Sequence, residues 1–229
     1  MANAVSRPLR LVRSFIRREG RLTRGQQRAL KELWPRYGVE PKGLLDLDKL
    51  FGHNAQRTLE IGFGNGETLA YLATQNSATD FLGIEVHRPG VGRLLLELEQ
   101  RGLTNVRVMQ EDAVEVLRRH LPDASLDRIL ILFPDPWPKK RHHKRRLVQP
   151  EFAGLLAKKL TAGGKLQMAT DWGAYANYML EVMESNGSFR NLEGSGNFAR
   201  RPAALPVTKF EHRGKRLGHE VWNLNYEKI

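Results

Sequence analysis

From residue 57 onward, short apolar runs alternate with helix-length segments, and this alternation leaves few folds open. Residues 58–63 read as a short strand ending in glycines, 67–76 as a helix, 80–86 as the next strand and 91–101 as a leucine-rich helix closed by Gly102. Strands are expected again at 106–110, 126–133 and 165–170, with helices at 113–120, 151–160 and 172–185 and a turn at 161–164. Two further extended segments lie near 189–192 and 221–226. The run at 126–133, Leu-Asp-Arg-Ile-Leu-Ile-Leu-Phe, is nearly continuous in apolar residues, as a central parallel strand covered on both faces must be. Alternating units of this length predict an α/β fold, a parallel sheet with helices on both faces. Such sheets bind ligands outside the carboxyl ends of their strands, so the residues that follow each strand are where chemistry is sought.

After the first strand comes Glu60-Ile61-Gly62-Phe63-Gly64-Asn65-Gly66-Glu67. Gly62, Gly64 and Gly66 let a ligand approach the backbone and open a helix whose N-terminus faces the same crevice. Glu85 ends the second strand, about twenty residues on, where an acid takes the two hydroxyls of a ribose. Asp112 ends the third, placed to meet an adenine amino group or to cap the helix that follows. Glu60 just before the glycines would repel a pyrophosphate. The electrostatics therefore favour a cationic nucleoside, S-adenosylmethionine with its sulfonium and α-amino group, over NAD.

The fourth strand runs into Phe133-Pro134-Asp135-Pro136-Trp137-Pro138-Lys139-Lys140-Arg141-His142-His143-Lys144-Arg145-Arg146. Three prolines exclude a helix or strand interior, so the block is a stiff loop carrying one acid, an aromatic plate and a dense positive field. Asp135 is placed beside the cofactor crevice, where a carboxylate accepts hydrogen bonds from a base edge. The cations after it suit flanking phosphates, and His142 and His143 read as backbone or phosphate contacts. Asp171, after the fifth strand, is a second substrate acid or a helix N-cap. Thr208-Lys209-Phe210-Glu211 offers a hydroxyl, an aromatic face and an acid beside more cations.

Charge supports a polyanionic partner. The chain of 229 residues has a formal net charge of +12. Residues 1–36 carry ten Lys or Arg against Glu19 and Glu32, and 139–146 carry six cations more, so the remainder is slightly acidic. The Arg-rich start is read as a basic arm of the mature protein rather than a targeting segment, irregular except for a short helix at 26–33, with Trp34-Pro35-Arg36-Tyr37-Gly38 as an ordered anchor. There is no cysteine, which excludes disulfides and thiolate chemistry. No apolar run is long enough to cross a bilayer, and no metal is expected.

Leu59-Glu60-Ile61-Gly62-Phe63-Gly64-Asn65-Gly66, Gly83-Ile84-Glu85-Val86-His87, the block 133–146, Thr170-Asp171-Trp172 and Thr208-Lys209-Phe210-Glu211 resemble the bacterial tRNA (guanine-N7-)-methyltransferase family, from about residue 10 to the C-terminus. One departure is Asn223, where the family usually shows Asp. The resemblance implies a Rossmann-like class I methyltransferase fold, a seven-stranded mostly parallel sheet, with a basic extension at 1–50 and the methyltransferase domain at 51–229. It implies methyl transfer from S-adenosylmethionine to N7 of the variable-loop guanine of tRNA (guanine-46), leaving S-adenosylhomocysteine, in the cytoplasm, by a monomer or homodimer. Carried over by position, Glu60, Glu85, Asp112 and Asp135 line the cofactor site, with Asp135 as the catalytic residue. Lys139, Asp171, Thr208, Lys209, Phe210 and Glu211 contact the substrate. Arg141, His142, His143, Lys144, Arg145 and Arg146 meet the RNA. The rival readings are a class I methyltransferase acting on another RNA or on protein, and a non-catalytic RNA-binding module.

Overall fold

The computed structural model describes residues 14–15, 20–206 and 220–229. Three helices come first: α1 (Arg24–Glu32), α2 (Trp34–Tyr37) and α3 (Leu47–Phe51). Then follow β1 (Gln56–Ile61), α4 (Glu67–Gln75), β2 (Thr79–Ile84), α5 (Arg88–Gln100), β3 (Val106–Met109), α6 (Ala113–Arg119) and β4 (Leu126–Leu132). A 3₁₀ turn (Lys140–Arg145) leads to α7 (Pro150–Lys159), β5 (Leu160–Thr170), α8 (Gly173–Glu184), β6 (Phe189–Asn191) and β7 (Trp222–Lys228). The strands form one sheet in the order β3-β2-β1-β4-β5-β7-β6. β1 to β5 run parallel, and β7 lies antiparallel to both β5 and β6. The winding reverses between β1 and β4, so the crevice at their carboxyl ends is the switch point.

Alternation along the strands fills both faces. Leu59, Ile61, Leu82, Ile84, Ile129 and Ile131 point to the side covered by α6, α7 and α8. Phe81, Val108 and Leu130 point to the side covered by α4 and α5. Continuous apolar sequence in β4 follows from this double coverage.

The segment before β1 is more regular than expected. Thr23 closes a capping box with Gln26, Thr23 Oγ1 accepting from the Gln26 N–H at 3.2 Å and Gln26 Oε1 accepting from the Thr23 N–H at 2.8 Å. The helix expected at 26–33 therefore starts at Arg24. Ala29 and Tyr37 are buried against α5 and β3, which makes the expected anchor a real one. The other difference is at 161–164. Its glycines read as a turn, yet β5 begins at Leu160 and the excess is absorbed as a bulge, with Leu126 opposite Leu160 and Arg128 opposite Lys165. Gly163, at φ 74°, supplies the left-handed residue that the bulge requires.

Candidate active site

β3, β2 and β1 are neighbours, so their terminal acids meet at one edge of the crevice. Glu60 is the penultimate residue of β1, opposite Gly83 of β2 and Leu130 of β4. It is 3% exposed, and its Oε2 is buried without a hydrogen-bond partner. Burial, helped by the nearby Glu85 charge and opposed by Arg128, pushes its carboxyl up to about 8. Arg128 lies on the same face of the sheet, its Nε donating to Gln167 Oε1 at 2.9 Å. Glu60 is therefore a mostly protonated acid at neutral pH. An incoming cation would turn it into a carboxylate.

The glycine loop is built for close approach. Gly62, Gly64 and Gly66 all have positive φ, at 73°, 57° and 79°. A Cβ on Gly62 would meet nothing within 4 Å, so the loop backbone is open there. Glu85 does more than end a strand. Its Oε2 accepts from the Gly64 N–H at 2.9 Å, and its Oε1 accepts from Val86 N–H at 2.7 Å and His87 N–H at 2.8 Å. Asp112 is the N-cap of α6, accepting from Val114 N–H at 2.9 Å. Its capping role and a ligand-facing role share one carboxylate. The orphaned Glu60 oxygen, the uncovered loop backbone and the row of acids fit a nucleoside with a cationic end and no phosphate.

The loop after β4 is tied down at its start, where Phe133 N–H donates to Ala169 O at 2.8 Å. Phe133 and Trp137 sit at φ 54° and 45°, strained values for bulky side chains. Asp135 is exposed between them. The Trp137 indole N–H donates to Ser14 O at 3.1 Å, which ties Ser14 to this loop. Arg145 stacks over the Trp137 ring at 5.1 Å, and His142 meets the ring edge at 5.7 Å. Desolvation and the charges of Arg141, Arg145 and Lys139 lower the His142 imidazole from its ordinary value. Lys139, Arg141 and Lys144 are exposed, and His143 and Arg145 are half-buried. A cleft of about 540 Å³ joins this basic turn to the Asp112 end of the site, with Phe15, Lys144, Arg145 and Phe152 on its walls.

Arg146 departs from the rest of the run. It is 4% exposed and its Nε donates to Pro136 O at 3.0 Å. The guanidinium faces the interior, so the expected RNA contact at this residue has little exposed surface to act through. Asp171 is half-buried at the carboxyl end of β5. The N-cap of α8 is Trp172, without a side-chain cap, so the capping alternative for Asp171 is not the one adopted. Thr208, Lys209, Phe210 and Glu211 lie outside the described residues. Among the described residues no group of three His, Cys, Asp or Glu could hold a metal ion, and no helix is long and apolar enough to cross a membrane.

Comparison with known proteins is consistent with this geometry. A family model described as "Putative methyltransferase" matches residues 54–224. The tRNA (guanine-N(7)-)-methyltransferase of Alkalilimnicola ehrlichii is 58% identical over 222 residues, 96% of this chain and 93% of that protein. The enzyme of the same name from Alcanivorax borkumensis is 55% identical over 221 residues, 96% of this chain and 92% of that protein. The chain belongs to the tRNA (guanine-N7)-methyltransferase family. Among solved structures, the 16S rRNA methyltransferase KamB is similar with a TM-score of 0.59 at 13% identity, covering 84% of this chain and 97% of that one, a likeness of fold.

Within this tRNA (guanine-N7)-methyltransferase family member, three features escaped sequence reasoning. Arg128 belongs to the Glu60 environment but sits one turn of the pleat back along β4, in a run that reads as simply apolar. Gly90 packs on the glycine loop so tightly that a Cβ there would lie 2.0 Å from Gly64 O. Its signal, a glycine in the first turn of a helix, was present but unremarkable. Trp172 is 38% exposed at a strand end, where an aromatic plate is noteworthy.

Proposed function

We propose that this chain transfers the methyl group of S-adenosylmethionine to N7 of the variable-loop guanine of tRNA, guanine-46, leaving S-adenosylhomocysteine. The observation that carries the reading is the junction at the switch point. The acids of β1, β2 and β3 form one wall of the crevice, and the Asp135 loop leads out from the neighbouring β4 into the exposed cations. The name shared by relatives at 55–58% identity supports it.

S-adenosylmethionine supplies an electrophilic methyl on a sulfonium. Glu60 is the residue to pair with its cationic end, Glu85 to take the ribose hydroxyls, and Asp112 to meet the adenine amino group. Gly62 leaves the backbone bare beside it, and Gly64 and Gly66 supply the left-handed turns of the loop. Guanine N7 already carries an in-plane lone pair, so no base need remove a proton first, and in-line positioning contributes most of what the site supplies. Positive charge developing on the guanine makes its N1–H edge more acidic. A carboxylate bonded to that edge then stabilises the transition state more than the ground state. Asp135 is the first candidate and Asp171 the second.

Lys139 and the segment 208–211 complete the substrate contacts, and Arg141 to Arg145 grip the flanking phosphates. The basic extension at 1–50 holds the tRNA body, and 51–229 carries the transfer. The protein acts in the cytoplasm, as a monomer or homodimer, and reads a splayed base in a folded RNA. The deciding experiment is methyl transfer to unmodified tRNA with and without the variable-loop guanine. 7-Methylguanosine should form only in the first. Equal transfer to both, or to neither, sinks the assignment.

A further inference from the structure

Arg146 is the cation of the basic run whose side chain the fold takes inside. Its guanidinium carbon lies 4.8 Å from the ring centre of Tyr175 and 5.1 Å from that of Tyr178. These are two rings of α8 whose own centres are 6.4 Å apart. Its Nε donates to Pro136 O at 3.0 Å, and its Nη2 is 3.2 Å from His143 Nε2. Gln149 continues the knot. Its Nε2 donates to the carbonyls of His143 and Arg146, at 2.9 and 3.3 Å, and its Oε1 accepts from the Tyr178 hydroxyl. The Tyr175 hydroxyl accepts from Val148 N–H at 3.2 Å.

A phosphate-reading arginine keeps its donors outward. This one turns Nε to the Pro136 carbonyl and Nη2 to the His143 ring, and satisfies a buried charge with two aromatic faces and a carbonyl. The bond to Pro136 O closes the loop 136–146 at its base. On the other side, Phe133 N–H is held by Ala169 O. Only Pro134 and Asp135 lie between these two fixed points, and both flanking prolines have a restricted φ. The tyrosines belong to the helix that follows Asp171, so the same knot sets the Asp135 loop against the second substrate acid.

We propose that Arg146 is a positioning residue, a clasp between α8 and the Pro136 carbonyl that fixes the backbone carrying Asp135. This rests on the reading of Asp135 as the group that meets the guanine. The test is steady-state methyl transfer by Arg146→Lys and Tyr178→Phe at several salt concentrations, with Asp135→Ala alongside. Lysine keeps the charge but loses the Nε donor and the planar stack.

Arg146→Lys should lower kcat roughly 10- to 100-fold. Its KM for tRNA should stay within about twofold, and the slope of log KM against log salt should not move, because no phosphate contact is lost. Tyr178→Phe should lower kcat by a smaller factor with the same unmoved KM. A raised KM and a flattened salt slope in Arg146→Lys, with kcat kept, would make it an RNA contact and overturn the clasp. Full kcat in a folded Arg146→Lys that binds S-adenosylmethionine normally overturns it too. If Arg146→Lys does not fold, Tyr178→Phe decides: lowered kcat supports the clasp and full kcat removes it. Near-normal turnover of Asp135→Ala defeats the reading of Asp135. An inactive Asp135→Ala beside a fully active Arg146→Lys defeats the clasp alone.

Discussion

Glu85 Oε2 accepts the N–H of Gly64 at 2.9 Å, a bond that reaches from the end of β2 to the turn after β1. The same carboxylate holds the N–H groups of Val86 and His87. An acid suited to a ribose therefore also shapes the loop that the nucleoside lies against. Glu85→Ala should leave these three donors short of an acceptor, costing about 1–3 kcal/mol in stability. It should weaken S-adenosylmethionine binding by roughly tenfold or more. Denaturant titration and calorimetry would measure the two effects, and a variant with normal affinity would count against both roles.

Glu60 makes the stability of the protein sensitive to pH. Its folded carboxyl stands at about 8, against an ordinary value of 4.5. The folded state therefore holds a proton that the unfolded chain has released, and stability should fall as pH rises across that window. Glu60→Gln should flatten the fall. Ligand binding near pH 7 should release a proton as Glu60 pairs with the cation. Calorimetry in buffers of different ionisation enthalpy would show this as a buffer-dependent heat, absent in Glu60→Gln.

Gly90→Ala tests the packing behind the glycine loop. Its Cβ would lie 2.0 Å from Gly64 O, so the loop or α5 has to move. The expected cost is about 1–3 kcal/mol, with a clear loss of S-adenosylmethionine affinity. Melting temperature and affinity, measured on the purified variant, would check it.

Asp135 is exposed, so Asp135→Ala should fold and bind tRNA as the parent does. Its kcat should drop roughly 100-fold or more if the carboxylate stabilises charge on the guanine. Single-turnover methyl transfer is the direct measurement.

The basic arm is best probed by a cut that respects α1. Removing residues 1–19 takes away Arg7, Arg10, Arg13, Arg17 and Arg18 and leaves the Thr23 cap in place. KM for tRNA should rise and the salt dependence of binding should become shallower by about one unit or more. A longer cut through residue 24 would also lose the capping box, about 1 kcal/mol of helix stability, and would confuse the result.

Much of this architecture was legible because a strand covered on both faces is apolar along its covered length, and residues 129–132 of β4 state that directly. The acids at strand ends were legible for the same reason, since each interrupts an apolar run at the crevice. What escaped depended on residues distant in sequence. Inside a row of cations nothing local marks Arg146 as buried. Its partners Tyr175 and Tyr178 lie some thirty residues on, and only their spacing of three on one helix face hinted at a paired surface. The glycines at 163 and 164 misled because bulges and turns draw on the same left-handed conformations.

The place of β7 has a consequence for the order in which the molecule is built. β7 is synthesised after β6 yet lies between β5 and β6, pairing antiparallel with both. Until residues 222–228 emerge, β6 has no partner strand and β5 presents a bare edge, the kind of edge that invites pairing with other chains. A chain stopped short of β7 holds every strand of the cofactor wall but leaves β5 without its outer neighbour. The strands that frame the crevice, β1 to β5, are thus all encoded upstream of the one that closes the sheet.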